Sequence, residues 1–217
     1  MVIVISTTVA HRPAKGDHVH DAVPLETAFD FLNTLELENG ALVERLTSLD
    51  TAATWLVDAA VAPDATAITG LARNAADREA LLRRLITART ALRDVAQAVA
   101  HEEAPPRPAI DEVNRTLAGR ERIELVAAPD GVRLGHSHVG DAVDDLLARI
   151  AEPIVREIGS GHEDRIRICD NETCRWIFFD ESRGGRRRWC DMASCGNRAK
   201  ARRHRARQKE STEAAPN

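Results

Sequence analysis

The sequence predicts a mainly α fold with a small β hairpin, an α+β chain in which a helical N-terminal domain precedes a compact, cysteine-bearing C-terminal unit. Three observations carry that expectation. Between Asp77 and Glu103 the apolar residues Leu81, Leu85, Ala88, Leu92, Val95 and Val99 alternate steps of four and three, the spacing of one helix face. Two β-compatible runs flank Pro129-Asp130-Gly131, a turn sequence. All four cysteines fall between residues 169 and 195. A chain of 217 residues is long enough for one core of ordinary size plus a small appendage. With four Phe, three Trp and no Tyr, that core must be filled by aliphatic side chains.

Charge divides the chain in the same place. Residues 165–209 carry fourteen Lys and Arg against five Asp and Glu, a net of +9, while the remainder carries sixteen against twenty-nine, a net of −13. The overall −4 therefore conceals two halves suited to different partners. A positive block attracts phosphate polymers, and an acidic one is repelled by them.

Taken in order, Met1 to Ala10 is apolar but too short to span a membrane and has no basic residue before it, so neither a membrane segment nor a signal peptide is expected. Residues 1–24 read as a flexible leader, in which His11, His18 and His20 could bind metal only adventitiously. Leu25, Phe29, Leu32 and Leu35 step by three and four, predicting an amphipathic helix ended by Asn39-Gly40. Leu49 to Ala60 is a second helix, followed by Pro63, and Asp77 to Glu103 the longest. The seam of that long helix spans too few heptads for a coiled coil, which favours packing inside the chain over a homodimer. Pro105, Pro106 and Pro108 break it before a short helix at Ile110 to Leu117. Ile123 to Val126 and Val132 to Leu134 form the hairpin. Val139 to Ile158 resumes helical spacing, with Pro153 expected to kink or split it, and Gly159-Ser160-Gly161 closes a domain spanning residues 25–161.

Residues 162–209 form the second unit, with 210–217 a disordered tail. Its cysteines are arranged as Cys169-x4-Cys174, fifteen residues, then Cys190-x4-Cys195. Two short loops joined by a hairpin can bring two thiolate pairs to one tetrahedral zinc ion. One structural zinc per chain is expected, because four thiolates leave no position for water or substrate. Redox or disulfide roles fit less well, since the usual redox spacing has two intervening residues and the cytoplasm, the compartment expected of a chain with neither signal peptide nor membrane segment, keeps thiols reduced. Beyond Cys195 the segment Gly196 to Gln208 contains good helix formers but almost no large apolar face, so it cannot be a core helix. Arg198, Lys200, Arg202, Arg203, Arg205 and Arg207 on that helix, with Arg186, Arg187 and Arg188 before Cys190, are the candidate DNA contacts, as guanidinium forks suit phosphates and guanine edges. Trp176 and Trp189 are expected to pack on the small zinc core, with base stacking the other option.

The run Arg187-Arg188-Trp189-Cys190, followed by Cys195-Gly196-Asn197-Arg198-Ala199-Lys200, resembles the CGNR zinc-finger family. Phe29-Asp30-Phe31-Leu32-Asn33-Thr34-Leu35 resembles the opening motif of the ABATE domain that precedes that finger. The resemblance implies a predominantly helical N-terminal domain with a small β element, a treble-clef-like or ribbon-like finger, and a role in stress-linked transcription. It carries metal ligation onto Cys169, Cys174, Cys190 and Cys195.

In the N-terminal domain, Asp30, Asn33 and Thr34 lie within about one helical turn and either line a ligand pocket or cap helix ends. Arg133, His136 and His138 could hold an anion or metal, although Asp141, Asp144 and Asp145 suit the acidic first turn of the next helix equally well. There is no glycine-rich phosphate loop, Gly-x-Ser-x-Gly elbow or paired-histidine protease helix, so no catalytic residue is assigned. The expectation is a cytoplasmic, zinc-dependent regulator that binds double-stranded DNA, modulated through a separate N-terminal domain by a small-molecule effector or by homodimerisation. The alternatives are an enzyme or RNA-binding protein with a purely structural finger, and a protein-binding adaptor.

Overall fold

The computed structural model describes residues 23–38, 40–120, 122–128, 131–137 and 140–213, so residues 1–22 of the expected leader and 214–217 of the expected tail lie outside the described residues. Val23 and Pro24, assigned to the leader, belong to the fold. Val23 is buried in the core, and Pro24 precedes the first helix, α1 (Leu25–Leu32).

Here the structure corrects the sequence reading. The first helix stops at Leu32, and Leu35 begins a hairpin, β1 (Leu35–Glu38) with β2 (Ala41–Glu44), in the register Leu35↔Glu44 to Glu38↔Ala41. Gly40 lies between its strands and does not end a helix; its φ of +85° is the left-handed conformation that hairpin turns require, and Asn39 lies outside the described residues. Helix α2 (Leu49–Asp58) opens with a capping box between Ser48 and Thr51. A single turn, α3 (Thr66–Thr69), leads to α4 (Ala75–Ala100), capped by Asn74, whose side chain accepts from the Asp77 amide at 2.9 Å.

Helix α4 is the central pillar. Leu81, Leu85, Ala88, Leu92 and Val95 of its expected seam are buried and Val99 is half-buried, and the helix packs within the chain against α1, α5 (Arg107–Leu117) and α6 (Ala142–Gly159). Helix α5 begins earlier than expected, with Pro108 in its first turn, where a missing N–H costs nothing. The hairpin β3 (Arg122–Ala128) with β4 (Gly131–Ser137) is longer than expected, with Pro129 and Asp130 outside the described residues. Of the expected kink or split at Pro153, the split does not occur: helix α6 runs as one element through the proline. Leu147, Ile150, Ala151 and Ile154 around the proline are all buried, and that packing outweighs one lost backbone bond. The Asp141 side chain accepts from the amides of Val143 and Asp144, so the acidic run caps α6.

The C-terminal unit contributes β5 (Ile166–Ile168), β6 (Ile177–Phe179) and α7 (Asn197–Glu213). The last helix continues past the expected limit at residue 209, as no Gly or Pro interrupts the sequence before Pro216. The two halves are not separate bodies: Ile166 and Ile177 of the β5–β6 hairpin are buried in the same core as Phe29, Leu32, Leu85 and Ile150. No helix among the described residues is long and apolar enough to cross a membrane.

Candidate metal centre and nucleic-acid interface

Each cysteine pair sits on a tight turn built by local hydrogen bonding. Past β5 the Cys169 amide donates to the Trp176 carbonyl at 2.8 Å, while the Cys174 and Arg175 amides both donate to the Asn171 carbonyl. Arg175 takes a left-handed φ of 57°, which lets the chain reverse immediately after Cys174. In the second pair, the Asp191 side chain accepts from the Ala193 and Ser194 amides at 3.2 and 2.6 Å and caps one wide helical turn, Met192–Gly196. Asp170 N–H to Arg188 carbonyl, 2.9 Å, joins the two segments.

The four sulfurs converge, all within 4.8 Å of one another, with Cys174 to Cys190 at 3.7 Å and Cys190 to Cys195 at 3.8 Å. Thiolates about 2.3 Å from a tetrahedral zinc stand about 3.8 Å apart, so the spacing already matches the edges of such a site. The protons tell the same story. Hydrogen bonds from Cys174 and Cys190 hold the Cys169 thiol far below its ordinary range, at about 2. The same contacts with Cys169 push Cys174 up to about 12 and Cys190 higher still. One thiolate is favoured and the next resisted, which is the behaviour of clustered sulfurs that need a cation to ionise together. These residues fit one zinc ion, which when bound would cross-link both turns and leave no open coordination position.

The surrounding side chains fix the cluster. Asn171, fully buried, donates to Cys195 Sγ at 3.4 Å and accepts from Thr173 at 3.2 Å and from Arg202 of α7 at 3.0 Å, so one amide ties both cysteine turns to the basic helix. Asp180 is equally buried and receives the Ser182 and Arg187 amides. Burial alone would raise its pKa, but those hydrogen bonds hold it below the usual range. Neither residue was legible as functional from sequence, since each acts through partners distant along the chain.

The candidate DNA-contacting residues separate into two groups. Arg187 is turned inward, donating to the Trp189 and Cys190 carbonyls and lying 5.1 Å over the Phe178 ring. Arg188 pairs with Asp170 at 2.5 Å and lies over Trp189, and Arg202 serves Asn171. The side chains of Arg186, Arg198, Lys200, Arg203 and Arg205 are exposed and meet no partner among the described residues, and Arg207, exposed at the far end of the series, donates to the Arg203 carbonyl at 3.5 Å. Trp176 and Trp189 pack against the cysteine cluster.

Comparison with known protein families finds a match to the CGNR zinc finger over residues 165–208 and a match over residues 25–161 to the ABATE domain, described as "Putative stress-induced transcription regulator". This chain belongs to the ABATE family and carries a CGNR finger. No curated protein matches it. Within the four residues that name the finger, Cys195 faces the metal site, Gly196 is buried in the wide turn, Asn197 donates to the Ala193 carbonyl at 2.9 Å, and Arg198 is exposed.

The ABATE motif residues do different work from a common pocket. Asn33 reaches across the joint: its Nδ2 donates to the Ile177 carbonyl at 2.8 Å and its Oδ1 accepts from the Ile177 amide at 2.9 Å, imitating a neighbouring strand beside β6. Phe29 stacks on Phe179 with centroids 6.4 Å apart. Thr34 is buried, donates to the Phe31 carbonyl and accepts from Arg89. Arg89, almost completely buried on α4, makes paired bonds of 2.6 Å to Glu44, and Arg93 one turn on donates to the Leu32 carbonyl at 3.0 Å. Burial would raise Glu44, but the Arg89 bonds prevail and lower its pKa. Asp30 alone of the trio faces open space. Arg133 and His136 fall on β4, opposite Val126 and Ile123, and His138 lies outside the described residues.

Proposed function

We propose that this chain is a zinc-dependent, DNA-binding transcription regulator without enzymatic activity, in which the ABATE domain modulates binding by the finger in response to a small molecule. The observation that carries this reading is α7, a helix charged nearly all round that starts at the last cysteine and is tied to the cluster through Arg202 and Asn171. A helix with no apolar face gains nothing from packing, and one held rigid at its base presents its charges as a surface suited to phosphates. Arg198, Lys200, Arg203, Arg205 and Arg207 supply that surface, with Arg186 beside the second cysteine pair. On this reading the metal is structural, because a shell of four thiolates activates no water.

The test is anisotropy titration of the full-length, zinc-loaded protein with labelled duplex DNA at several salt concentrations. The logarithm of affinity should fall linearly with the logarithm of salt, by about 0.9 for each phosphate contacted. Loss of that slope when Arg198, Lys200, Arg203, Arg205 and Arg207 are replaced supports the reading. Binding that ignores salt, or survives the replacement, defeats it.

A further inference from the structure

Beside the Asn33 bridge, the joint between the ABATE domain and the finger opens into a cavity of about 710 Å³, a volume suited to a small molecule. Helix α1 and strand β1 form one wall, and the two cysteine turns and β6 the other. Six carboxylates line it, but they are not equivalent. Arg45 binds Glu36 and Glu38, and Asp191 is occupied by the wide turn. Glu26, Asp30 and Glu181 remain, with no partner among the described residues.

Against these three carboxylates the cavity offers one outward-facing cation, Arg198, since Arg187 is committed to backbone carbonyls. Cys174, Cys190 and Cys195 also line it, and four thiolates around one divalent ion carry two further negative charges. Glu26 and Asp30 stand one helical turn apart, a like-charge pair that weakens a helix unless something positive lies between them. Partial burial, and then repulsion from Glu26, raise the Asp30 pKa. Small inorganic cations do not suit the site, for among the described residues only the cysteines gather closely enough to ligate a metal. Half-buried Trp176, Phe179 and Leu25 also line the cavity, side chains that suit an apolar body and, at the indole, a cation.

We infer that this cavity is the effector site and that its ligand is an organic cation, an amine or quaternary ammonium group borne on an apolar body. The cationic head sits between Glu26, Asp30 and Glu181, and the body lies against Trp176. Asp30 lies in the last turn of α1 and Asn33 caps that helix, and both line the cavity, so an occupant touches the residue that fastens the ABATE domain to β6 and, on the opposite wall, the first turn of the basic helix. The effector role rests on the proposed regulatory function; the ligand chemistry does not.

Two measurements on the full-length, zinc-loaded protein separate these parts. Without DNA, calorimetric titration with benzyltrimethylammonium should show saturable binding, and benzoate, of similar body and opposite charge, should show none. Asp30→Asn should weaken the cation about fivefold, and Glu26→Gln combined with Asp30→Asn should weaken it further, while circular dichroism and zinc content stay unchanged. Absence of cation binding, equal binding of benzoate, or binding indifferent to both variants overturns the ligand assignment. With duplex DNA present, saturating benzyltrimethylammonium should shift DNA affinity at constant ionic strength, and the shift should vanish in Asp30→Asn. An unchanged affinity overturns the effector role. A protein that binds the cation but no DNA refutes the proposed function and leaves the ligand assignment standing.

Discussion

Replacing Asn33 with alanine removes both halves of the bridge to Ile177 and leaves a buried amide and a buried carbonyl of β6 without partners. Each such group costs about 1–3 kcal/mol, so the zinc-loaded protein should lose about 2–6 kcal/mol. That is a large part of the stability of an ordinary domain. Urea denaturation of full-length protein, followed by circular dichroism for the helices and by tryptophan fluorescence, reads it directly. Trp55 reports on the helical core and Trp176 and Trp189 on the finger, so the parent protein should give coincident transitions. Zinc should also be lost to a chelator more readily, by about tenfold for every 1.4 kcal/mol of coupling. Asn33→Asp should not rescue the change, because a carboxylate still accepts from the Ile177 amide but opposes its carbonyl with a buried charge. A loss below about 0.5 kcal/mol together with unchanged chelator resistance would refute the claim that one amide joins the two halves.

Elemental analysis should find one zinc per chain, and Cys174→Ser should abolish it and make residues 165–209 sensitive to protease; retention of both metal and resistance would remove the metal assignment. Replacing Arg203 or Arg205 by alanine should lower the salt slope for DNA by about 0.9 each with no change in melting temperature, whereas Arg187→Ala should destabilise the finger, because that side chain holds two carbonyls and covers Phe178. The paired bonds from Arg84 hold the Asp141 carboxyl below its ordinary 3.8. That contribution is complete above the ordinary carboxylate range and disappears as pH falls through the depressed value, so Asp141→Asn, which can still cap α6, should lower stability at neutral pH and flatten the acid limb, with variant and parent converging as the pH falls.

Periodicity made the α4 seam and α6 legible, and cysteine spacing alone located the metal site. The end of α1 was not legible, for Leu35 continues the three-and-four stepping of Leu25, Phe29 and Leu32 although its side chain belongs to a hairpin. What stops the helix is the engagement of Asn33 with a strand 144 residues away, a long-range partner with no local trace. The alternation Leu35-Glu36-Leu37-Glu38 before Asn39-Gly40 was the signal that could have revealed the hairpin. Nothing in the local sequence marks Arg89 and Arg93 as buried, and only the tertiary placement of Glu44 and of the Leu32 carbonyl explains why α4 buries them. The joint was missed for a related reason. Composition divides the chain sharply by charge, but Ile166 and Ile177 are ordinary apolar residues whose destination depends on packing.

The shared core also sets an order for biosynthesis. Residues 25–161 leave the ribosome before Ile166 and Ile177 exist, so the nascent ABATE helices must wait with an unfilled face beside α1 and α4. A message truncated between the two family matches would thus release a chain with greasy surface exposed, a substrate for chaperones and proteases in place of a functional half-protein. Completion of the fold is deferred until the hairpin and the cysteine turns emerge together, and metal supply at that moment bears on the fate of the helices already made.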